Sequence, residues 1–136
     1  MPTFLDSGSS VPSNGSGTLS IPVPSSPIKL AEFGLNLSNS INRVILDATV
    51  GVTAQAGNPT LLFKVFRDSG IILTVRGELQ LSIDQNRTIS FQAIDLNVPA
   101  GSRAYSITIE LENPSLLNSA RVVGPITFSG VAFTQF

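Results

Sequence analysis

A chain of 136 residues is long enough for one domain with a real core, and this one, without His or Cys, has no imidazole, thiolate or disulfide chemistry at its disposal. Charged residues make up 12%, where about 25% is usual, and the net charge of -1 leaves little repulsion between copies, so self-association is expected. Arg43, Arg67, Arg76, Arg87, Arg103 and Arg121 stand singly, which excludes an electrostatic footprint for nucleic acid, and no run approaches the ~20 apolar residues of a membrane-spanning helix.

In chain order, Met1 to Asp6 carries neither a basic segment nor a long apolar run, so no secretory leader is expected. Asp6 to Gly17 is Gly- and Ser-rich behind a small apolar tip of Pro2, Phe4 and Leu5. Residues 1–17 are therefore predicted as a flexible N-terminal arm and residues 18–136 as the head domain. From Thr18 onward apolar residues recur with a period of two, the pattern of half-buried strands, and no helical period of useful length is present.

Leu19 to Val23 reads as an edge strand, because Pro22 and Pro24 cannot donate to a ladder. Ala31 to Leu37 follows, and then Val44, Leu46, Ala48, Val50, Val52 and Ala54 share one face against Arg43, Asp47, Thr49 and Thr53, with Ile45 as an apolar exception. After Leu61 to Arg67, the set Ile71, Leu73, Val75, Leu79, Leu81 and Ile83 shares a face, interrupted at Gly77. Ile89, Phe91 and Ala93 give way to Ile94, Leu96 and Val98, a slip in phase that predicts a bulge or a change of sheet near Ile94. Tyr105, Ile107, Ile109 and Leu111 face inward, opposite Ser106, Thr108, Glu110 and Glu112. In Arg121 to Phe136, breaks are expected at Gly124-Pro125 and at Gly130, and apolar groups occupy both faces, as in a strand covered on both sides. Turn-forming clusters separate these runs. The expected fold is all-β: an antiparallel eight-stranded jelly-roll sandwich with an extended N-terminal arm.

Catalytic constellations are sparse. Lys29 and Lys64 are the only lysines for a Ser-Lys arrangement, and both alternate with apolar residues as solvated strand positions do. Glu110 and Glu112, at i and i+2, share a strand face, but solvent-facing acids opposite Ile109 and Leu111 are the ordinary outcome. Gly15-Ser16-Gly17 lacks the Gly-Lys-Ser/Thr of a phosphate loop. No enzyme activity, cofactor or metal site is expected.

The segments VILDATVGV (Val44 to Val52), LLFKVFRDSG (Leu61 to Gly70), FQAIDLNVPAG (Phe91 to Gly101), YSITIEL (Tyr105 to Leu111) and VVGPITFSG (Val122 to Gly130) together resemble the exosporium protein C type of spore-surface protein of Bacillus-like bacteria. More distantly they are similar to the trimeric jelly-roll heads of exosporium glycoproteins and of the tumour-necrosis-factor/complement-C1q class. The resemblance spans about Ile41 to Val131. It implies a structural, self-assembling subunit of an endospore surface layer or appendage fibre. Such a subunit is made in the mother-cell cytoplasm without a signal peptide and partners other copies of itself in a homo-oligomer, a trimer stacked into a fibre among them, or other coat proteins. Missing Gly-X-Y repeats and Cys set the chain apart from collagen-stalked and disulfide-welded members.

On this reading Phe4, Leu5, Leu19, Ile21 and Val23 form an assembly arm that adds to a neighbouring subunit, and Phe128, Val131, Phe133 and Phe136 form the lateral subunit interface. The alternative expectation is a jelly-roll binding module for carbohydrate or a receptor, which the lack of Trp and the single Tyr make less favourable.

Overall fold

The computed structural model describes residues 2–80 and 86–135, and nine strands run through them. They are β1 (Phe4–Ser13), β2 (Ile21–Pro22), β3 (Ile28–Leu37), β4 (Asn42–Ala56), β5 (Thr60–Arg67), β6 (Gly70–Glu78), β7 (Arg87–Leu96), β8 (Gly101–Leu111) and β9 (Ser119–Thr134). One antiparallel sheet has the order β1-β9-β4-β7, with the two-residue β2 also on β9, and the other has the order β3-β8-β5-β6. Apart from β2, the eight strands lie four against four, as a jelly roll requires.

The core follows the period-two pattern. Val44, Leu46, Val50 and Val52 of β4 and Tyr105, Ile107 and Ile109 of β8 are at most 1% exposed, since each strand turns one face toward the opposite sheet. Phe33 joins the sheets, its ring 4.8 Å from Phe128 and 5.8 Å from Tyr105, while Phe63 meets Phe91 at 5.7 Å. The Tyr105 hydroxyl donates to Asp95 at 2.9 Å, and Arg67 Nη1 donates to both oxygens of the same carboxylate. Burial, and then the Asp95 charge, push the Tyr105 phenol upward from its ordinary value.

Several expectations need correction. A register shift between Val65 and Phe66 pairs Leu73 with Val65 but Ile71 with Phe66, so Ile71 swings to the outer face and is 54% exposed. Leu81 and Ile83, assigned to the same face, lie outside the described residues. Strand β7 has no bulge at Ile94: its pairing with β4 runs unbroken from Val52–Arg87 to Arg43–Leu96. Ile94 and Leu96 point to the outer face, and Val98 reaches the core only because the chain leaves the strand at Asn97, where φ is 53°. Strand β9 runs unbroken through Gly130, but at Gly124-Pro125 the expected break is present: Val50 pairs with Ile126 and Val52 with Val122, so β9 bulges between them, with Gly124 at φ 88°. Gly130 is small for a packing reason, since a Cβ there would come within 2.8 Å of Phe33 and Leu46. Ser106 and Thr108 do face outward, yet they are buried, because β8 is central and Lys29 and Lys64 flank Thr108 on either side.

Within residues 1–17, expected as a flexible arm, Phe4–Ser13 are strand in the single chain. Strand β1 pairs antiparallel with β9 from Phe4–Phe133 to Ser13–Ile126, and the segment after the Asn14–Thr18 turn returns to the same edge through Ile21–Val122. The physical reason is the edge of β9, whose backbone groups have no other partner on that side. Few apolar side chains are needed for such a ladder, which is why the composition of this stretch gave no warning of it.

Candidate interaction surface

The outward face of the β1-β9-β4-β7 sheet is built in rows, because paired residues in adjacent strands point the same way. At the end of the sandwich where β4 begins and β9 finishes, one row runs Phe4, Phe133, Arg43, Leu96. The next runs Ser7, Val131, Ile45, Ile94, and the third Ser9, Ser129, Asp47, Gln92. Beyond it lie Thr127, Thr49 and Ser90, the last two sharing a hydroxyl hydrogen bond of 3.1 Å.

Apart from Arg43 and Ser7, the first two rows are apolar, and they reach the surface. Phe4 is 56% exposed, Ile94 58% and Leu96 53%, while Ile45, Val131 and Phe133 are half-buried. Phe4 and Phe133 meet edge to face at 6.2 Å, forming a ridge at the β1 side. Beside it a shallow groove of about 390 Å³ is lined by Ser7, Gly8, Ser9, Asp47, Ser129 and Gly130 and bounded by Ile45 and Val131. Contiguous apolar groups rimmed by polar residues make this end of the face the candidate contact surface.

The expected interface residues divide on this geometry. Val131 and Phe133 sit on the open face as proposed. Phe128 does not: the alternation of β9 turns it inward, where it is 1% exposed against Phe33. Phe136 lies outside the described residues. Of the expected arm residues, Phe4 stands on the open face, and Leu5 occupies the register shift between Phe4 and Asp6 and packs against the chain's own core. Leu19, Ile21 and Val23 also pack on that core, with the Leu19 and Val23 amides donating to Val123 and Ala120 of β9. They seal the domain in the single chain instead of projecting from it.

Ile45, Ile94 and Leu96 belong to the surface and were not assigned to it from the sequence. Each broke the expected alternation, and the signal was the break itself: an apolar residue on a polar face is surface waiting for a cover. The carboxylates weighed as a catalytic pair each have a cation, Glu110 bridging to Lys64 at 2.7 Å and Glu112 to Arg76 at 2.7 Å. Arg76 in turn holds the Glu112 carboxyl below its usual range.

No family model matches the sequence, and no curated protein matches it. Among solved structures, infectious bursal disease virus (Gx strain) aligns over 99% of this chain with a TM-score of 0.58 at 9% identity. The chain spans about a third of that protein's length, 32%. The globular domain of zebrafish complement 1qA aligns over 97% of this chain and 98% of its own at a TM-score of 0.49 and 10% identity. A carbohydrate-binding module, CBM36 in complex with calcium and xylotriose, aligns over 93% of this chain and 97% of its own at 0.41 and 9%. The two antiparallel sheets, with the likeness to the viral protein, define a jelly-roll β-sandwich, and at such identities the likeness extends to the fold alone.

Proposed function

We propose that the chain is a structural, self-assembling subunit whose copies join through the apolar end of the outward β1-β9-β4-β7 face. The observation that carries this reading is the contiguous set Phe4, Phe133, Val131, Ile45, Ile94 and Leu96 on a surface that the described residues leave uncovered. The low charge of the remaining surface works in the same direction. A second contact belongs to the proposal. Strand β1 is tethered by the Gly/Ser-rich Asn14–Thr18 turn and held mainly by backbone pairing, so the same ladder made on β9 of a neighbour would link copies without loss of hydrogen bonds. The resemblance of five strand segments to exosporium proteins supports an endospore surface layer or appendage as the setting.

The test is electron microscopy of the purified protein beside the double variant Ile94→Asp, Leu96→Asp. Ordered assemblies of the native chain and dispersed particles of the variant are expected; assemblies that survive the two added charges would refute the role of this face. A binding module is the second reading, favoured by the groove's hydroxyl and carboxylate lining next to the Phe4–Phe133 pair. Selective glycan capture on an array, unaffected by assembly state, would establish it instead.

A further inference from the structure

The same face carries a charge and shape pattern that selects one arrangement of partners, an inference that rests on the assembly reading and goes beyond it. Arg43 is exposed in the middle of the otherwise apolar first row, and its guanidinium makes no hydrogen bond or ion pair among the described residues. Asp47, four residues along the same strand and on the same face, accepts only from the Gln92 side-chain amide, at 3.2 Å, among those residues. Midway between them is Ile45, in the second row. Burying Arg43 under an apolar cover would strand a charge unless a counter-charge arrives with the cover.

We propose that a second copy of this chain covers the face about a two-fold axis lying in the plane between the two sheets, perpendicular to the strands and level with Ile45. Such an axis sets β4 against β4 and β9 against β9 with strand directions reversed, so that the first row of one copy meets the third row of the other. Arg43 then faces Asp47 of the second copy, twice by symmetry, and the isologous contact is satisfied by one patch on both partners. The shapes agree independently of the charges. Phe133 and Phe4 of one copy come over Ser129 and Ser9 of the other, so the aromatic ridge lies on the groove that small residues leave open. The second row, Val131, Ile45 and Ile94, meets itself at the centre and forms a dry middle between the two ion pairs. A ring of three copies places no symmetry axis at Ile45 and leaves this reciprocal matching without a cause.

Four strands ~4.8 Å apart, over about eight residues rising ~3.4 Å each, give a footprint of roughly 500 Å² per copy, about 1,000 Å² in all, at the threshold of a specific interface. The pair is thus expected to be in exchange with single chains at micromolar concentration.

Charge reversal tests the arrangement in the full-length protein. Arg43→Glu alone and Asp47→Arg alone each place like charges opposite each other and should weaken dimerisation by about tenfold or more, while the double variant restores opposite charges and should return affinity to within about threefold of native. Both substituted positions are on an outward face, and unchanged far-ultraviolet circular dichroism confirms that folding is intact. A second measurement uses the absence of native Cys. Nitroxides on Ile45→Cys should lie close together across the axis, and those on Thr49→Cys roughly 20 Å farther apart, because each step along the strand moves the two labels in opposite directions. Rescue by the double variant with this label pattern is the expected result. Association in threes, or association indifferent to both single reversals, would overturn the two-fold arrangement and leave the assembly reading standing. A chain that never associates would sink both.

Discussion

Asn42 is the residue whose role composition and spacing hid best. It stands where β4 begins and reads as a turn former, yet it is fully buried. Its side chain accepts from the Val98 amide at 2.9 Å and donates to the Val98 carbonyl at 2.8 Å and the Asn39 carbonyl at 2.7 Å, clamping two loops at one end of the sandwich. Replacing it with Leu would leave a buried N–H and two carbonyls unpaired. Asn42→Leu is expected to lower unfolding stability by about 3 kcal/mol, read as a fall in the urea midpoint at unchanged slope.

Tyr105 gives the pH dependence at this scale. Its folded pKa is raised, first by burial and then by Asp95, so the neutral phenol is the form the native state prefers. The stabilisation is complete below the ordinary tyrosine range near 10 and is lost progressively as pH climbs past it, because the unfolded chain then ionises while the folded one resists. Tyr105→Phe keeps the ring against Phe33 and removes the hydroxyl bond, costing about 1 kcal/mol at neutral pH. The difference in stability between native and variant should shrink above pH 10; a constant difference up to pH 11.5 would contradict the buried phenol.

Among the elements, the long alternating strands were legible. The apolar positions of β4 and β8 were assigned from period alone, and the structure buries them as assigned, because a strand in the middle of a sheet has little choice of face. The arm and β7 were not legible, for two different reasons. Strand β1 is held by backbone pairing to an edge, and backbone demand leaves no mark in side-chain pattern. In β7 the pattern was read as slippage because an outward apolar residue was assumed to need a change of phase, whereas the strand keeps one register and its outer face turns apolar only at the Ile94–Leu96 end. The seating of β1 makes one specific demand: Gly8 lies against β3, where an added Cβ would meet Phe33 at 2.8 Å and the Gly34 carbonyl at 2.9 Å. Gly8→Ala should lift β1 at a cost of about 1–2 kcal/mol. Hydrogen exchange should then quicken at the amides of residues 4–13 while those of β4 and β8 stay protected. Uniform loss of protection across both sheets would mean that β1 is not a separable element.

For the whole molecule, the fold class was readable from the count and spacing of alternating runs, since eight strands of this length close only a few kinds of sandwich. The site was half readable. Val131 and Phe133 were placed correctly on a second apolar face, but Phe128 was assigned there by residue type where alternation turns it inward, and Ile45, Ile94 and Leu96 were passed over as irregularities. What joins them is tertiary: four strands distant in sequence bring one or two outward apolar residues each to the same end of one sheet, and no single strand reveals the sum. A surface of that kind on a weakly charged domain is the ground on which self-assembly is proposed.

The direct measurement is the mass of the native protein in solution across a range of concentration, by sedimentation equilibrium. The account predicts a weight-average mass that rises from the 14.3 kDa of one chain as concentration passes through the micromolar range. A mass that stays at 14.3 kDa up to the highest attainable concentration would show that the outward face of the β1-β9-β4-β7 sheet binds no second copy, and the central claim would fall.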